Sequence, residues 1–253
     1  MLQTPRRPLA ALSSLLVSYD VADHPELAFG STRSGQAITL VRATTGPISD
    51  AYGTALSVAA QQPRLSMYDV DADSVRETLG WFIGRAGGGV NADRVTLDTD
   101  WPMQVSETWY IRIVRPAYAD SVGDIGWVPY MLSRGLSGGP HLALRFKQLT
   151  RDVEAALHDG TTATSVSASI PAGQDLAFCA QFDLLTSAPR CRLDVGSGFG
   201  SWSAGALAAI ASLSGDLAIG DAAWSAGNTL DGALRTLRLD DSLLTHAVIA
   251  GTR

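Results

Sequence analysis

The chain reads as an all-β protein built as an antiparallel sandwich. Three observations predict this. Short apolar-alternating runs recur from residue 101 onward, separated by turn signals. Asp159-Gly160 stands between two such runs, a hairpin turn where the chain must reverse tightly. Near the C-terminus, strand-like segments ending at Gly220 and beginning near Leu234 flank a Gly227-Asn228 turn.

Each element follows from its alternation. In Ser106–Val114, Trp109, Ile111 and Ile113 point one way, and Tyr110 and Arg112 the other. In His141–Leu149, Leu142, Leu144 and Phe146 oppose Ala143, Arg145 and Lys147. Val153, Ala155 and Leu157 alternate in the same manner, so 151–157 is read as strand over helix. Further strands are expected at Thr164–Ile170, Leu176–Phe182, Cys191–Val195, Leu217–Gly220 and Leu234–Leu239. Ser203–Leu213 is Ala-rich enough for a helix, but its Gly and Ser content favours a loop leading into a strand. Residues 29–100 are polar and turn-rich, with Gly30, Gly35, Gly46-Pro47, Gly53 and a Gly87–Gly89 run.

At 253 residues the chain can bury a full core, and its 46% hydrophobic and 17% charged content excludes wholesale disorder. The net charge of −6 comes without any basic cluster; Lys147 is the one lysine. Nucleic acid and anionic membranes are therefore not expected partners. No run is long enough to span a membrane, so membrane insertion is not expected. Arg6-Arg7 precede a short apolar stretch, as in a signal peptide, but no small-x-small cleavage site follows. The segment reads instead as an ordered arm or first strand. Cys179 and Cys191 would face each other only in a symmetric hairpin; otherwise they are two small, half-buried thiols.

The C-terminal pattern "L-x-I-G … L-D-G-x-x-x-x-L-R-L" over 217–239 resembles the closing strands of concanavalin A-like (laminin-G-like) jelly rolls. Ser169–Phe178 and Asp241–Thr245 are similar to further segments of that family. The resemblance covers 101–253 and implies a domain that binds carbohydrate or packs as a structural module. In front of it, Phe29–Leu40, Tyr52–Leu56, Pro63-Arg64 and Glu77–Gly80 resemble a recurrent pattern of tailed-phage, prophage and gene-transfer-agent fibre proteins. Together the two imply a surface spike or fibre of a phage-like particle. It would be a homo-oligomer that contacts other particle proteins (capsid, tail or fibre) and adsorbs to host surface polysaccharide. The division expected is an N-terminal arm (1–28), an attachment region (29–100) and the jelly roll (101–253). The alternatives are a secreted or cell-surface carbohydrate-binding module, and a scaffolding spike base that binds only protein.

Catalysis is not expected. Gly135-Leu-Ser-Gly-Gly139 fits a nucleophile elbow by letters, but Pro140 and an alternating strand follow, where an elbow needs a helix. The four glutamates, Glu26, Glu77, Glu107 and Glu154, make no E-x-D-x-x-E pair. Asp69-Val-Asp-Ala-Asp73 opens like a calcium loop, yet Ser74 and Gly80 stand where glycine and glutamate are needed. The four histidines lack metal-ligand spacing, so no metal or other cofactor is expected. For sugar binding, the candidates are the aromatics of Gly-rich, loop-like segments: Trp127, Tyr130, Trp202 and Trp224. Taken singly, each reads first as packing. Trp101 and Trp109 are placed in or beside the core.

Overall fold

Alternation puts one apolar face on each strand, and two sheets bury those faces against each other. The computed structural model describes residues 15–20, 40–42, 52–55, 64–71, 74–83, 95–97, 106–114, 130–136, 138–147, 152–170, 175–205, 207–210, 213, 217–220 and 232–250. Its strands are β1 (Leu15–Asp20), β2 (Leu40–Arg42), β3 (Tyr52–Ala55), β4 (Arg64–Asp71), β5 (Ser74–Ile83), β6 (Val95–Leu97), β7 (Glu107–Val114) and β8 (Tyr130–Gly135). They continue with β9 (Pro140–Phe146), β10 (Asp152–Asp159), β11 (Ala163–Ser169), β12 (Asp175–Asp183), β13 (Arg190–Asp194), β14 (Leu217–Ile219) and β15 (Gly232–Asp240). A short helix, α1 (His246–Ala250), follows.

One sheet has seven strands in the order β13-β12-β7-β15-β5-β4, with β1 also paired to β15. The other has eight, β11-β10-β9-β8-β14-β6-β3-β2. Every pairing is antiparallel. The protein is thus an antiparallel jelly-roll sandwich, as the sequence predicts. Strands from before residue 100 lie in both sheets, and β1 pairs with β15.

The core holds the residues that alternation selects. Trp109, Ile111, Ile113, Leu142, Leu144, Val153, Ala155, Leu157, Phe178 and Phe182 are all fully buried. Each large one contributes roughly 1.5–3 kcal/mol by leaving water. Phe146 of one sheet meets Phe178 of the other edge-on, at 5.9 Å between ring centroids. Asp159-Gly160 makes the β10–β11 hairpin, with Gly160 at φ 105°. Asp159 caps it, accepting from the Thr161 and Thr162 N–H groups and from the Thr161 hydroxyl. These bonds hold its carboxyl below the usual carboxylate range.

Gly135–Pro140 joins β8 to β9 as a strand–turn–strand hairpin. It does not run from strand into helix, so no nucleophile elbow exists there. The two cysteines do not face each other. Cys179 pairs in register with Asp194, and Cys191 with Phe182, so the thiols lie on opposite faces of the sheet. Neither is in a disulfide, and both are fully buried, where half-buried thiols were expected.

Candidate functional site

The site forms along β13, the end strand of the seven-stranded sheet. On β13, Cys191 and Leu193 point into the core, which puts Arg190 and Arg192 together on the outer face. The chain then turns back through glycines 196, 198 and 200 and runs beside β13. Phe199 bridges to Asp194, Gly200 N donates to Leu193 O at 3.0 Å, and Ser203 N donates to Cys191 O at 2.7 Å. Gly196 and Gly198 take φ of 120° and 107°, which the reversal needs and a side chain would resist. Asp194, fully buried, fixes the turn by accepting from Gly196 N and Gly198 N.

That return places Trp202 and Phe199 against the arginines. The Arg190 and Arg192 guanidinium carbons lie 4.5 and 4.4 Å from the Trp202 ring centroid. Arg192 also lies 4.5 Å from the Phe199 ring. The inner edges of both guanidiniums are bonded. Arg190 Nε and one terminal nitrogen donate to Asp183 Oδ2 at 3.1 and 3.0 Å, and Arg192 Nε donates to Gln181 Oε1 at 2.7 Å. Gln181 is itself oriented, donating to Thr108 Oγ1 and Leu244 O. The Arg190 side chain is 43% exposed, and Arg192 and Trp202 are half-buried. Burial, with Arg190 alongside, lowers the Arg192 pKa, although a guanidinium stays charged.

The cluster sits on a braced rim. Beyond it, Leu207, Ile210 and Leu213 plug the core between the sheets. Ala208 N donates to Asp159 Oδ2, and Thr164 Oγ1 donates to Ala204 O, so the loop is tied to the hairpin of the opposite sheet. The Cys191 thiol donates to Ala155 O at 3.3 Å across the sandwich. Burial pushes its pKa up to about 11, so it is a packing group and not a nucleophile.

Of the expected sugar-site aromatics, Trp202 is in a loop and half-buried, with guanidiniums already over its ring. Tyr130 is not in a loop. It begins β8, is 7% exposed, and packs on Ala143 and Ala156 on the outer face of the other sheet. Its hydroxyl accepts from Arg145, which also donates to Glu154. Tyr130 and Trp202 are therefore not parts of one site. Trp127 and Trp224 lie outside the described residues. Among the described residues no three His, Cys, Asp or Glu side chains could hold a metal ion. The sequence reading missed Arg190, Arg192 and Phe199. Their signal was the Arg-Cys-Arg alternation beside a glycine-rich return.

No family model matches the sequence, and no curated protein does. Solved structures share the fold. The botulinum neurotoxin serotype D binding domain superposes with a TM-score of 0.52 at 9% identity, covering 94% of this chain and 50% of that one. The botulinum neurotoxin type G receptor binding domain gives 0.50 at 11% identity, over 85% and 50%. This chain thus spans about half the length of those two. The CBM40 of a Ruminococcus gnavus IT-sialidase bound to α2,6-sialyllactose gives 0.44 at 14% identity, over 59% of this chain and 84% of that chain. At such identities the likeness is one of fold.

Proposed function

We propose that this protein is a non-catalytic carbohydrate-binding module, with its sugar site at Arg190, Arg192 and Trp202. The observation that carries the reading is the pair of guanidiniums held over Trp202 with one edge bonded and their remaining donors without a hydrogen bond among the described residues. A sugar presents hydroxyls and ring oxygens that such donors bind, and donors fixed beforehand lose little entropy on binding. The ring backs the guanidiniums instead of offering a bare stacking face. The fold supports the reading, being shared with a receptor binding domain.

For the setting we keep the phage-like particle that the pattern of residues 29–80 suggests, with 1–28 and 29–100 as the attachment side. Repetition of a weak site around a homo-oligomer would supply avidity. Glycan binding by the purified chain is the test. Saturable binding that Trp202→Ala abolishes, with the glycan recovered intact, is the expected result. Binding that survives Trp202→Ala would move the site elsewhere, and cleavage of the glycan would overturn the non-catalytic assignment. Mass spectrometry of particles released by the source cell tests the setting: an exported chain missing from them would favour a secreted module.

A further inference from the structure

We infer that the glycan bound here is acidic, and that Arg192 reads its oxyanion group, a carboxylate or a sulfate ester. This rests on the carbohydrate-binding reading above. The argument begins with partners. Arg134 pairs with Glu107, Arg145 with Glu154, Arg190 with Asp183, and Arg238 with both oxygens of Asp240. Arg192 instead meets a neutral amide, the Gln181 carbonyl oxygen. An amide orients a guanidinium without cancelling its charge. Gln181 is held in that role by its own two bonds, so its oxygen stays turned to Arg192.

The neighbourhood keeps the charge uncompensated. Two guanidiniums stand side by side on β13, and the carboxylate bonded to them among the described residues, Asp183, is taken by Arg190 with two donors, while Asp194, next on the same face, is turned to the Gly196 and Gly198 N–H groups and His246. Arg192 is therefore a cation with no carboxylate hydrogen-bonded to it among the described residues. A half-buried cation beside a second cation is costly unless something of opposite charge arrives. Geometry says what fits. Arg192 lies within 4.5 Å of both the Phe199 and the Trp202 ring and is bonded through Nε, which restricts how its fork can turn. Nε is used inward, and among the described residues its terminal nitrogens carry no hydrogen bond. Two parallel donors in one plane match the two oxygens of a planar carboxylate or two oxygens of a sulfate. A neutral hydroxyl would use half of that fork and leave the charge unmet.

The experiment is an array of carboxylated, sulfated and neutral oligosaccharides, probed with the full chain and with Arg192→Gln and Arg192→Lys. Carboxyl-reduced versions of every carboxylated ligand are included. The expected result is that the bound set is acidic, that binding weakens as salt rises, and that Arg192→Gln costs about tenfold or more. Arg192→Lys should recover part of that loss, because it restores the charge without the fork. Carboxyl reduction tests the claim on the unmodified protein and should abolish binding if a carboxylate is read. Preference for sulfated members would identify the sulfate ester as the oxyanion. Equal binding of neutral or carboxyl-reduced ligands, insensitive to Arg192→Gln, would overturn the acidic ligand and leave carbohydrate binding standing. Binding of nothing on the array would overturn both.

Discussion

Arg134 and Arg192 are both arginines on strands of the sandwich, yet they are built for opposite ends. Arg134, on β8, is 1% exposed and faces the core, where it pairs with Glu107. Glu107 also accepts from Trp109 Nε1 at 2.6 Å. In that cluster charge meets charge inside the sandwich. Arg192 sits at the rim, half-buried, its charge facing an amide on one side and its donors open on the other. An internal ion pair serves the fold. An ion left incomplete at a braced rim is available to a ligand.

The interior pair should respond most strongly. Glu107→Ala strands a buried guanidinium, and we expect about 3–5 kcal/mol of lost stability. Arg192→Gln should change stability by less than about 1 kcal/mol, since the side chain is partly solvated and its partner is neutral. Urea denaturation of both variants checks the contrast; similar losses would erase the distinction between the two arginines. Asp194→Ala comes next. Its carboxylate is fully buried and serves two backbone N–H groups and His246 Nδ1. About 2–3 kcal/mol should go, and hydrogen exchange across 196–203 should quicken because the turn carrying Phe199 and Trp202 is released. Trp202→Ala should cost about 1 kcal/mol or less in stability while removing glycan binding. A large stability loss there would make the tryptophan a packing residue, the reading each such aromatic carries on its own.

The same division explains what was legible. Strands β7, β9 to β13 and β15 follow from alternation because their inward residues are mainly apolar, even though Glu107 on β7 and Thr164 on β11 are buried polar residues. Tyr130–Gly135 was not read as a strand. A bulge between Tyr130 and Leu132 turns Met131 and Leu132 both to the core, and Arg134 occupies a core position opposite Leu142. Alternation cannot report a charged residue whose partner, Glu107, lies on the other sheet. The site was half legible for a similar reason. Trp202 stands out in a glycine-rich loop. The arginines that cover it are marked only by the knowledge that β13 is an edge and that 199–203 returns along it. The cysteines needed register as well, since a three-residue offset separates facing thiols from thiols on opposite faces.

The smallest effect expected is on pH dependence, and it bears on the same contrast. His141 on β9 stacks on His158 of β10, with centroids 4.7 Å apart and planes 9° from parallel. Its Nδ1 bonds Gly139 O at 3.0 Å. Burial above all, with His158 and Arg145 nearby, lowers its pKa below the ordinary histidine value. The unfolded chain therefore takes up a proton first as pH falls, near the ordinary value of about 6.5. Stability is full above that pH and declines below it. His141→Gln should flatten this slope in denaturation curves measured from pH 7 downward. Glycan binding by the molecules that remain folded should not follow the slope, because the guanidiniums at the rim do not titrate in this range. A parallel fall in binding would bring a titrating group into the sugar site.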